Sequence, residues 1–89
     1  MPQTRVMRFL RFRHNVSLAQ LARVARVSPQ RISQMELGIE PSTEYQRELI
    51  REAFAIIADE RGQDGGALRR DLRRLEYRLL DYVREGEAL

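Results

Sequence analysis

Apolar residues recur three and four positions apart along this 89-residue chain, the period of a helix with one face turned to a core. No five-residue stretch alternates cleanly between apolar and polar, so strands are not expected. The pattern predicts an all-α fold of five helices. The first is expected from Thr4 to His14, with Val6, Met7 and Leu10 inward and Phe9 at their margin. Asn15 and Ser17 separate it from a second helix, whose N-cap is Ser17 and whose stripe is Leu18, Leu21, Ala22 and Ala25. Ser28 caps a third helix that opens on Pro29, a position where an N–H has no intrahelical partner to lose. Ile32, Met35 and Leu37 face inward there, and Gly38 fits the C′ position. Ile39-Glu40-Pro41-Ser42 reads as a loop. A fourth helix follows it to Arg61, burying Tyr45, Leu49, Ile50, Ala53, Phe54 and Ile57 and turning Glu44, Glu48 and Glu52 outward.

Gly62-Gln63-Asp64-Gly65-Gly66 has the composition of a flexible linker. The chain accordingly divides into a body over 1–61, a linker over 62–66 and a C-terminal segment over 67–89, helical from Ala67 to about Glu85. In that segment Leu68, Leu72, Leu75, Leu79 and Tyr82 alternate four- and three-residue spacings, the a and d positions of about two heptads. Such a seam predicts self-association as a homodimer, or as a tetramer if Leu80 and Val83 broaden the face. Folding back onto its own domain is the other reading of the same stripe. The flanking charges favour antiparallel pairing, which sets Arg69 near Glu76 and Asp71 near Arg78 of the second helix.

Composition narrows the function. The chain has no Cys, no Trp and one His, and all 16 of its basic residues are Arg. A disulfide framework, a thiolate or multi-histidine metal centre and a Ser/His/Asp array are therefore not expected, and no cofactor is called for. His14 is given no role. The Gly62–Gly66 stretch lacks the Lys of a phosphate-binding loop, and no catalytic cluster is visible, so an enzyme is not expected. No apolar run approaches the ~20 residues of a membrane span and no apolar leader follows the N-terminus, which predicts a cytoplasmic protein without a membrane partner.

Net charge is +3, but its distribution is uneven. Residues 1–34 hold seven Arg and no acid, residues 35–66 hold three Arg against eight acids, and residues 67–89 hold six Arg against five. One cationic face suits a polyanion such as DNA, because Arg on phosphate releases condensed counterions.

The stretch from Ser17 to Gly38 carries the motif. Two short helices joined by a tight turn need a small residue where their backbones meet, supplied by Ala22, and apolar residues about the turn, supplied by Leu21, Val27 and Ile32. Leu21-Ala22, Val27-Ser28 and Ile32-Ser33 followed by Glu36 and Gly38, with Met7-Arg8-Phe9-Leu10-Arg11 ahead of them, resemble the lambda-repressor-like (Cro-like) helix-turn-helix family over residues 6–55. The resemblance implies that 29–37 is a recognition helix and that Arg11 and Glu36 form a structural ion pair. Two positions depart from the family pattern: Arg26 stands where Gly is frequent in the turn, and Leu18 where Gln often touches the DNA backbone. Either the turn is altered, or Arg26 accepts a left-handed backbone at about 1 kcal/mol.

The expected function is a sequence-specific double-stranded DNA-binding transcriptional regulator, a repressor acting as a homodimer on an inverted repeat, with half-sites ~34 Å apart or a multiple of it. Gln30, Arg31 and Gln34 are the expected base contacts, Gln matching adenine and Arg guanine or a phosphate. Ser28, Ser33, Arg8, Arg13 and Arg23 are the expected backbone contacts, and Arg5 with Pro2-Gln3-Thr4 is a candidate arm. The alternative is an antitoxin-type protein that binds DNA and also neutralises a protein partner, docked on the acidic helix 43–61 or on the C-terminal helix.

Overall fold

The computed structural model describes residues 4–39 and 43–83. It is all-helical: α1 spans Val6–Arg13, α2 Leu18–Ala25, α3 Pro29–Glu36, α4 Glu44–Glu60 and α5 Gly66–Arg74, with a short 3-10 turn over Gly62–Gly65. Among the described residues the one extended contact is an isolated antiparallel bridge between Arg5 and Tyr82. None of these helices is long and apolar enough to cross a membrane. α2 packs chiefly on α4 and α3, and the core gathers Met7, Leu10, Leu21, Ile32, Met35, Ile50, Phe54 and Ile57 from four helices.

Side-chain hydroxyls start three helices. Ser17, Ser28 and Thr43 accept from the N–H groups of Gln20, Arg31 and Gln46 at 3.0, 3.1 and 3.1 Å. Left-handed residues follow all five, Gly62 (φ 61°) standing just after α4. After α1, Asn15 (φ 53°) lets Val16 N–H reach the Arg11 carbonyl at 2.9 Å. After α2, Arg26 (φ 60°) lets Val27 N–H reach Ala22 at 3.2 Å, so of the two expectations for this turn Arg26 takes the left-handed backbone. After α3, Gly38 (φ 69°) closes a Schellman motif, in which its own N–H reaches Met35 at 3.2 Å and Ile39 N–H reaches Gln34 at 3.1 Å. After α5 the same pattern recurs without a glycine: Glu76 (φ 53°) and Tyr77 (φ 56°) both turn left-handed, and their N–H groups bond Arg73 and Leu72 at 3.0 Å.

Several expectations are corrected. α1 is shorter than Thr4–His14 and leaves Phe9 exposed. In α4, Tyr45 is 74% exposed, because the helix turns Gln46, Ile50, Ala53 and Ile57 inward from its first turn and places Tyr45 outside that arc. Residues 62–66 are not a free linker. They continue the chain as a 3-10 turn directly into α5, and buried Gly65 lies so close to Ala58 that a Cβ there would overlap the Ala58 carbonyl. The fifth helix ends at Arg74, not near Glu85. The chain then doubles back, and Leu68, Leu72 and Leu79 sit in the same core as α1 to α4, with Leu75 packed at its edge. The leucine seam is thus spent inside the molecule, and the division into 1–61 and 67–89 does not describe separate bodies. Asp71 and Arg69 are likewise engaged internally, Asp71 with α1 and Arg69 with Asp59 at 2.8 Å. The end of the predicted helix, Arg84 and Glu85, and most of the 39–42 loop lie outside the described residues.

Candidate nucleic-acid interface

α2 and α3 pack together across the turn Arg26-Val27-Ser28, and Ile32 and Met35 are buried in the same core as Leu21, Ala22 and Ala25. That packing fixes which side of α3 faces out. Pro29, Gln30 and Arg31 are exposed and Ser33 and Gln34 half-exposed, with Gln30 and Gln34 on the side opposite Ile32 and Met35. Gln30 and Gln34 lie one turn apart on the same flank. Ser28 is also exposed; its hydroxyl oxygen accepts from Arg31 N–H in the cap, which leaves its O–H as a donor.

Two buried contacts hold this helix. Arg11 Nε and Nη2 donate to the two carboxylate oxygens of Glu36 at 2.7 and 3.1 Å, a bidentate pair in which Glu36 is only 1% exposed. Arg11 Nη1 also donates to the Val16 carbonyl at 3.3 Å, so one guanidinium joins α1, the α1–α2 turn and α3. At the end of α3, Arg5 N–H donates to the Glu36 carbonyl at 3.0 Å and Arg5 Nη1 to the Met35 carbonyl at 3.1 Å. Arg5 is therefore buried (2% exposed) rather than an arm, a role its place ahead of the first helix gave no reason to expect.

The electrostatics follow from that burial. Among described residues 4–39 the one acid is Glu36, and it is enclosed by Arg11. The outer surface of α1, α2 and α3 therefore presents Arg8, Arg13, Arg23, Arg26 and Arg31 with no carboxylate of its own. Not all of these stand alike. Arg13 reaches Asp71 of α5 at 3.2 Å and Arg23 reaches Glu60 of α4 at 3.6 Å, each engaging an acid of another element. Arg8 lies against the Phe12 ring, 5.4 Å from its centroid.

His14, given no role by the sequence, is the other surprise. Its Nε2 lies 2.7 Å from Asp71 Oδ2, while its carbonyl accepts from Arg61 Nη1 at 2.5 Å. Burial would raise the Asp71 carboxyl. The hydrogen bond with His14, the charges of Arg13 and His14 and a bond from Arg74 outweigh it and hold the group below its ordinary value. These contacts pin α5 to the end of α1, and a polar triple drawn from positions 13, 14 and 71 has no spacing by which a sequence would announce it. The chain matches no protein-family model, no curated protein and no solved structure.

Proposed function

We propose that this protein is a sequence-specific double-stranded DNA-binding transcriptional regulator of the lambda-repressor-like helix-turn-helix kind, a repressor, with α3 as its recognition helix. The observation that carries the reading is the carboxylate-free outer surface of α1 to α3, with two glutamines in register on the exposed flank of α3. Phosphate binding needs a surface that does not repel it, and base readout needs planar donor–acceptor groups on a rigid helix. Gln30 and Gln34 read adenine edges in the major groove, and Arg31 reads a guanine or holds a phosphate. Ser33 and Arg8 take the backbone, with Arg13 and Arg23 reaching it less readily from their ion pairs.

An eight-residue helix is about 12 Å long and meets only a few base pairs, so two copies on an inverted repeat supply the remaining specificity. Because the leucine seam is buried, such pairing uses another face. Selection of bound sites from random duplex DNA tests the reading. Enrichment of a two-fold symmetric sequence is expected, and a pool that stays random contradicts it. A second reading, the antitoxin-type protein with an additional protein partner, is supported by the exposed run Tyr45, Glu48, Glu52 and Ile56 along α4. A stable one-to-one complex with a basic protein would favour it.

A further inference from the structure

The described segments 4–7 and 79–83 meet at the end of α3. Val83 N–H donates to the Thr4 carbonyl at 3.0 Å, and Val6 and Met7 N–H donate to the Asp81 and Leu79 carbonyls at 2.9 and 2.8 Å. α1 has no side-chain N-cap, so carbonyls of the returning segment satisfy first-turn N–H groups of α1. Between these bonds sits Tyr82. Its hydroxyl is 3.4 Å from Arg5 Nη2, its ring lies 5.2 Å from the Arg5 guanidinium, and it covers Gly38 so closely that a Cβ there would stand 2.7 Å from Tyr82 Cε1.

We propose that segment 79–83 is a clasp that sets the position of the recognition helix, with Tyr82 and Arg5 as positioning residues for base readout by Gln34. The linkage is short. Tyr82 holds the Arg5 guanidinium, which bonds the Met35 carbonyl, and seats against Gly38, the left-handed residue of the Schellman motif whose long bond ends on the Gln34 carbonyl. Gln34 is therefore the reading residue whose backbone belongs to the structure Tyr82 covers. Tyr82 is itself 42% exposed and adds little to the core. Loss of its ring loosens the last turn of α3 and leaves the phosphate-facing arginines in place. A reading group displaced by about an ångström loses its bidentate match, whereas a charge on a flexible stem keeps its phosphate.

The inference rests on the DNA-binding reading, and its test separates the two. Wild type, Tyr82→Ala and Tyr82→Phe are titrated, as full chains at one salt concentration, against the selected duplex and a scrambled duplex. The expected result for Tyr82→Ala is a fall of about tenfold or more in the ratio of specific to non-specific affinity, with scrambled-duplex affinity unchanged. Tyr82→Phe keeps the ring over Gly38 and is expected to retain the wild-type ratio. In the free protein, amide exchange at Gly38 and Ile39 quickens in Tyr82→Ala alone. If Tyr82→Ala does not fold, Tyr82→Leu, which refills the space over Gly38 but denies Arg5 its ring, carries the same expectation with a smaller fall. A wild-type ratio in the loss variant, or an equal fall in all affinities, overturns the clasp while leaving the DNA reading intact. Wild type that does not discriminate between the duplexes removes the DNA reading itself.

Discussion

Asp71 is a carboxylate held between two elements by cations. Its ordinary value is 3.8 and its value in the folded protein is lower. A depressed carboxylate contributes stability that is present in full above its unfolded value and is lost as pH falls through the folded one. Asp71→Asn is therefore expected to melt below wild type at neutral pH by about 1–3 kcal/mol, with the gap closing below about pH 4. Thermal melts at several pH values measure this, and a gap independent of pH would show that the charge of Asp71 is not what matters. Gln34 answers at the same scale but in binding. Gln34→Ala should weaken the selected duplex by about 1–3 kcal/mol and relax preference at one base position, as read by repeating the selection with the variant. The Arg11–Glu36 pair is legible only through the family resemblance over residues 6–55, whose pattern takes in both residues. The Asp71 cluster was not, because His14 and Asp71 are brought together only by the packing of α5.

At the scale of elements, starts were easier to read than stops. A hydroxyl at N-cap with a helical stripe after it is a local signal, and Ser17 and Ser28 act as expected. Of the left-handed stops, Asn15, Gly38 and Gly62 are residues that tolerate that conformation, whereas Arg26, Glu76 and Tyr77 are not. Between residues 67 and 85 neither Gly nor Pro occurs, so nothing local marked the end of α5. Tertiary burial of Leu79 and Leu80 and the bonds of segment 79–83 to α1 compensate the strain. The strain at Arg26 is testable. Arg26→Gly should stabilise the fold by no more than about 1 kcal/mol, since relief of the left-handed backbone is partly offset by unfolded-state entropy. Chemical denaturation measures it, and a marked loss of stability would mean the Arg26 side chain supports the turn.

At the scale of the whole molecule, the heptad spacing of Leu68, Leu72, Leu75 and Leu79 predicts a surface between copies, whereas in the structure these leucines close the protein's own core. Spacing reports that one face is apolar and does not report what covers it. The glycine-rich stretch misled in the same way, since Gly65 serves close packing on Ala58 rather than freedom. Leu72→Ala is accordingly expected to destabilise the fold by about 2–5 kcal/mol. A variant that stays fully stable but changes oligomeric state in sedimentation would return the seam to an interface. The DNA-binding proposal requires that the exposed flank of α3 meet the duplex. Backbone amide shifts of the protein titrated with the selected duplex test it most directly. The largest changes are expected on Ser28 to Gln34, with α5 over Gly66–Arg74 little affected; shifts confined to α4 and α5, or none at all, would rule out α3 as the reading helix.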